Sequence, residues 1–255
     1  MSERDGFQHG VPCWVDTWQD DVQAAAAFYT GLLGWEAQVG EQYTMFTHRG
    51  RDAAGAGAPL PAGSAPAWTS YVWVDDADAA AARATAAGGR LVAEPFDSLD
   101  GGRMAIMADP RGAVLGLWQP GEHRGAGVVN EPGAWSMSAL STPDPDGAEA
   151  FYGAVFGWET EAFGDFATMW RLPGFVGGEP TQPVPRDVVA VMMRGERAAW
   201  GVDFWVDDAD AAAERAVALG GSVLSPPADM PVGRSAVVAD PAGAVLSLSQ
   251  VVPPA

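Results

Sequence analysis

The acidic string "VDDAD" occurs twice in this chain, at residues 74–78 and 206–210. Carboxylates at that density could hold a divalent ion or serve as acid and base. Each string, however, runs straight into an alanine-rich stretch, "AAAARATAAGG" or "AAAERAVALGG". An aspartate before a helix accepts hydrogen bonds from free backbone amides and complements the positive end of the helix dipole. Helix capping is therefore the reading for both, with no catalytic role.

Other reactive residues are sparse. His9, His48 and His123 fall in the N-terminal arm, a hairpin turn and a Gly/Pro-rich linker, without metal-ligand spacing. Cys13 is the one cysteine, which fits a reducing cytoplasm, and no base accompanies it as partner to a nucleophile. There is no lysine, so Schiff-base chemistry and a P-loop are excluded, and no glycine string supports a nucleotide cofactor. A net charge of −19 repels phosphate backbones, so nucleic acid is not an expected partner. The N-terminal "MSERDGFQHG" has no secretory pattern and no stretch is apolar enough to span a bilayer, so a cytoplasmic protein without membrane contact is expected.

The elements that position these residues are themselves repeated. "FYTGLLGWE" at 28–36 returns as "FYGAVFGWE" at 151–159, an offset of 123. The block at 71–95 returns at 203–227, and "GRMAIMADPRGAVLGLWQ" at 102–119 returns as "GRSAVVADPAGAVLSLSQ" at 233–250. A helix capped by Asp20 and stopped by Gly34, with Val22, Ala25, Ala26, Tyr29, Leu32 and Leu33 as its apolar stripe, follows the strand "CWVDT". A second helix follows "YVWV", capped by Asp75 or Asp76, and Asp144-Pro145 starts a third. Hairpins are expected around His48–Gly50 and Asp109–Gly112. The unit of strand, helix and about three strands thus occurs four times. The expected domains are residues 1–120 and 134–255, joined by a linker over 121–133.

In order and duplication, these motifs resemble the vicinal oxygen chelate superfamily, which includes glyoxalase I, bleomycin-resistance proteins and extradiol dioxygenases. The resemblance implies an α+β fold of tandem domains. Four βαβββ modules would form two curled mixed-sheet half-barrels with helices outside.

Carried onto this chain, the family's metal-ligand positions fall on Trp14, Thr69 and Gly116, and on Met137, Gly201 and Ser247. None is an ordinary ligand, so neither a metal nor another cofactor is expected, and glyoxalase I and dioxygenase chemistry are disfavoured. Alternation along strands adds Asp16, Tyr71, Trp73 and Trp118 to the first set, and Ala139, Asp203, Trp205 and Ser249 to the second. Pairing Ala108 with Ala113 across the Asp109 turn brings in Arg103, and by repetition Arg234. Trp14, Thr69, Trp73, Gly116, Trp118, Met137, Trp205, Ser247 and Ser249 would line ligand pockets, unless the tryptophans simply plug the sheet. Asp16, Tyr71, Arg103, Asp203 and Arg234 would supply acid–base groups, or internal ion pairs.

Two functions follow. One is binding of a small, aromatic or conjugated molecule without a metal. The other is a metal-independent isomerase, lyase or cyclase of secondary metabolism. The duplication allows a monomer, and a homodimer remains open.

Overall fold

The computed structural model describes residues 3–59, 63–98, 101–177 and 185–251. The outermost residues of the two expected domains, 1–2 and 252–255, lie outside them.

Each quarter of the chain folds as strand, helix and three strands. The first has β1 (Pro12–Trp18), α1 (Val22–Leu33), β2 (Glu36–Val39), β3 (Tyr43–His48) and β4 (Arg51–Gly57). The second has β5 (Ala67–Trp73), α2 (Ala77–Ala86), β6 (Arg90–Ser98), β7 (Gly102–Ala108) and β8 (Val114–Pro120). The third runs through β9 (Trp135–Thr142), α3 (Pro145–Phe156), β10 (Glu159–Phe163), β11 (Ala167–Arg171) and β12 (Val188–Arg194). The fourth comprises β13 (Ala199–Trp205), α4 (Ala209–Ala218), β14 (Ser222–Met230), β15 (Gly233–Ala239) and β16 (Val245–Val251).

Local chemistry sets the helix ends. Asp76 and Asp208 of the acidic strings cap α2 and α4 by accepting from the amides of Ala79 and Ala211. Asp144 caps α3 ahead of Pro145. For α1 the cap is Asp21 rather than Asp20, since its carboxylate reaches the amides of Gln23 and Ala24. Gly34 ends α1 at φ 72°, a left-handed conformation that glycine adopts without steric cost.

The first two modules form one eight-stranded sheet, ordered β2-β3-β4-β1-β5-β8-β7-β6. The last two form its counterpart, β10-β11-β12-β9-β13-β16-β15-β14. Both are mixed: β1 runs parallel to β4 and antiparallel to β5, and β9 relates likewise to β12 and β13. Neither closes into a barrel.

The sheets stay within their halves, but the cores do not. One apolar cluster joins Phe28, Tyr29, Trp35 and Trp68 to Phe204, Ala212 and Leu248. The other joins Val72, Ala80 and Leu117 to Phe151, Tyr152, Trp158 and Trp200. The helix-bearing faces of the two sheets therefore pack on each other, with α1 beside α4 and α2 beside α3. Buried apolar area shared in this way stabilises at roughly 25 cal/mol per Å², so neither half owns its core.

The repeated strings meet across this interface. Tyr29 donates to Asp240 at 2.7 Å and accepts from Trp68 Nε1 at 3.0 Å. Tyr152 donates to Asp109 at 3.1 Å and accepts from Trp200 Nε1 at 2.8 Å. The second oxygen of each aspartate accepts two amides of its own turn, those of Arg111 and Ala113 or of Ala242 and Ala244. Each "FY" string is thus held by the "ADP" turn of the opposite half. Gly89 and Gly221 let Phe151 and Phe28 approach, since a Cβ on either would press on that ring.

Candidate functional site in the second sheet

The face of each sheet turned away from the helices carries the residues marked by strand alternation. In the first sheet this face is filled. Trp14, Asp16, Tyr71, Trp73 and Trp118 are all buried, with Asp16 only 4% exposed. Trp14 Nε1 donates to the Tyr43 hydroxyl at 3.0 Å, and Tyr43 and Tyr71 each donate to the Asp16 carboxylate at 3.1 Å. His123 of the linker seats edge-on against Trp14, with ring centroids 4.4 Å apart, and against Trp118. Arg124 lies 5.1 Å above the Trp73 ring. Gly116 sits under Tyr71, where a Cβ would run into the ring, and half-buried Thr69 pairs with Asp16. Burial pushes the Asp16 carboxyl up to about 7, against the lowering effect of the tyrosine hydrogen bonds. The same burial raises both phenols.

In the second sheet the equivalent face is open. Trp14 is replaced by Met137, Tyr71 by Asp203 and Trp118 by Ser249, and β11 opens with Ala167 where β3 opens with Tyr43. A pocket of about 220 Å³ results. Phe163, Phe166, Val191, Met193, Trp205 and Met230 form its apolar wall. Its polar floor is Asp203, Ser136, Ser235, Ser247 and Ser249. Asp203, partly accessible, accepts from Ser136 Oγ and Ser249 Oγ, both at 2.6 Å. Desolvation raises its carboxyl to about 6, opposed by those two hydroxyls.

Of the residues expected at this second site, Met137, Ala139, Asp203, Trp205, Ser247 and Ser249 all line the pocket; exposed Gly201 does not. The arginines need correction. Ala108 pairs with Val114, not Ala113, because the Asp109 turn takes one more residue, closed by an Asp109 N–H to Ala113 carbonyl bond. Arg103 then falls opposite Gln119, and a one-residue shift turns a side chain to the other face. Arg103 binds Asp78 on α2 and Asp97, both outside the cavity. Arg234 repeats this with Asp210 and Asp229, so it borders the pocket while its guanidinium is committed elsewhere. Ser136 escaped the alternation argument because the register shifts where β13 passes from Asp203 to Phe204, and that bulge re-aims it. The walls from β10, β11 and β12 carried no sequence signal beyond their apolar residues.

A divalent ion does not fit these donors. Trp14, Thr69 and Gly116 offer no ligating set, and Met137, Gly201 and Ser247 offer one hydroxyl. Among the described residues no three His, Cys, Asp or Glu side chains converge.

Comparison with known proteins agrees with this architecture. The glyoxalase/bleomycin resistance protein/dioxygenase superfamily model matches residues 14–117, and the glyoxalase-like domain model matches residues 137–249. A Mycobacterium tuberculosis protein named "Putative glyoxylase CFP32" is 40% identical over 99% of both chains. The chain belongs to the glyoxalase/bleomycin resistance protein/dioxygenase superfamily. Within the superfamily it is also 38% identical to anthracycline biosynthesis protein DnrV of Streptomyces peucetius, over 95% of this chain and 94% of that one. Its fold is that of the Mn(II)-bound glyoxalase from Novosphingobium aromaticivorans, with a TM-score of 0.66 at 18% identity over 96% of this chain and 84% of that one. The 2,3-dioxygenase LapB from Pseudomonas sp. KL28 is similar in fold, with a TM-score of 0.63 at 14% identity, covering 98% and 96%. Among the described residues no helix is long and apolar enough to cross a membrane.

Proposed function

We propose that the pocket of the second sheet binds a small conjugated or aromatic organic molecule without a metal. The observation carrying this reading is the difference between the two faces: side chains and the linker fill one, while substitutions at matched positions leave the other open. A flat ligand would stack on Trp205 between Phe163 and Met193 and direct a polar group to Asp203 and its serines. The similarity to proteins named for anthracycline biosynthesis supports a polycyclic ligand of secondary metabolism. On this reading the chain works in the cytoplasm, as monomer or homodimer, without nucleic acid or membrane. Titration with 1,8-dihydroxyanthraquinone, followed by tryptophan quenching and calorimetry, tests it. Saturable binding weakened about tenfold or more by Trp205→Ala is expected. Binding that is absent, or indifferent to Trp205, would sink the proposal.

A second reading rests on the Asp203 carboxyl. Ionised above about pH 6 and held by two hydroxyls, it is placed to take a proton from a bound ligand, as an isomerase, lyase or cyclase requires. Asp16 and Tyr71 are sealed from solvent, Arg103 is bound to Asp78 and Asp97, and the Arg234 guanidinium at the pocket border is committed to Asp210 and Asp229, so Asp203 would act without them. Loss of turnover in Asp203→Asn with ligand binding retained would separate this reading from simple binding.

A further inference from the structure

A second and larger cavity, of about 560 Å³, adjoins the Trp205 pocket and shares Asn130, Ser136 and Met137 with it. Its walls come from the N-terminal arm, the linker, the chain before β12 and the first residues of β1, β9 and β12. Among the described residues, Arg4 and Arg186 stand on those walls, and no aspartate or glutamate does. That is unusual for a chain carrying 33 acidic residues and 14 basic ones. Arg49, Arg51, Arg103, Arg111, Arg171 and Arg234 are all spent in ion pairs. Among the described residues Arg4 and Arg186 are in none, as is also true of Arg83, Arg90, Arg124, Arg194, Arg197 and Arg215, which do not line this cavity; the guanidinium of Arg4 or Arg186 donates to a backbone carbonyl, that of Glu3 or Gly177.

Resting on the binding reading above, we infer that the ligand is an acid: its flat apolar body occupies the Trp205 pocket and its anionic group extends past Ser136 to Arg4 and Arg186. A guanidinium is always charged and presents several donors in one plane, which suits a carboxylate, sulfonate or phosphate. The acidic surface repels anions generally, so two charges inside a concave wall select an acid that also has an apolar body to bury.

Two fluorescent probes separate the contributions. 8-Anilinonaphthalene-1-sulfonate carries an anionic group, and N-phenyl-1-naphthylamine is the same ring system without it. Wild-type protein should bind the sulfonate about tenfold or more tightly than the amine. The Arg4→Gln/Arg186→Gln double variant should lose that preference while keeping its affinity for the amine. Both arginines are at least partly exposed, so the variant should fold, as an unchanged thermal transition will show. Equal affinity for the two probes, or a preference that survives the double variant, overturns the acid inference and leaves the pocket reading standing if Trp205→Ala still abolishes amine binding. Failure of both probes to bind wild-type protein, or indifference of both to Trp205→Ala, overturns the pocket reading and the acid inference with it.

Discussion

Asp16 is surrounded by two phenols and an indole-bearing wall, and its ionisation is opposed by that enclosure more than the hydroxyls favour it. Its carboxyl sits near 7 in the folded chain and near 3.8 in an unfolded one. Between those values the folded state holds a proton that the unfolded state has lost. Stability from this group is therefore full below about pH 4 and declines as pH rises through about 7. Asp16→Asn removes the decline, so the variant should gain on wild type between pH 4 and 8 by on the order of 2–4 kcal/mol in urea titrations. An unchanged difference across that range would contradict the burial argument. Asp203 obeys the same sign over a narrower window, up to about 6. Both aspartates were legible in the sequence because strand alternation places them, whereas the arginines were misplaced by one extra turn residue and Ser136 was hidden by a bulge. Alternation is a parity argument, and each irregularity inverts it.

At the scale of elements, β5 and β13 hold matching places in the repeat and have different surroundings. From Ser70 to Trp73 every residue of β5 is buried, while along β13 buried residues alternate with accessible ones. The first sheet is packed on both faces, the second on one. Gly116→Ala should drive a methyl into Tyr71 and cost roughly 1–3 kcal/mol, visible as a lowered urea midpoint. Ser249→Trp should reproduce the first sheet's plug in the second, keep the fold and abolish binding of any ligand that stacks on Trp205. Retained binding would mean the ligand lies elsewhere. The sequence showed tryptophans converging on the first sheet but not whether they enclosed space or consumed it. That depended on Tyr43 and His123, which reach the face from a neighbouring strand and from the linker.

Across the whole molecule, the duplicated strings are joined through contacts spanning 211 and 43 residues. Tyr152→Phe should cost about 1–3 kcal/mol, because it strands a buried oxygen of Asp109 and the Trp200 indole donor, whereas Tyr29→Phe strands the Trp68 donor but leaves the Asp240 oxygen accepting from Gln19 Nε2 and should cost less. A larger loss for Tyr152→Phe than for Tyr29→Phe, and one cooperative transition in wild type, are the expected outcomes in denaturant. Two separated transitions would show that the halves own their cores after all. Four modules and their order were readable from internal repetition, but the partner of each repeated string was not, since periodicity describes elements rather than the faces they share. The filled first sheet also fixes a valence. With the linker's own imidazole seated on one sheet, one sheet face is left open among the described residues, so on the binding reading proposed above a monomer should titrate as a simple hyperbola with a Hill coefficient of about one, despite its doubled architecture.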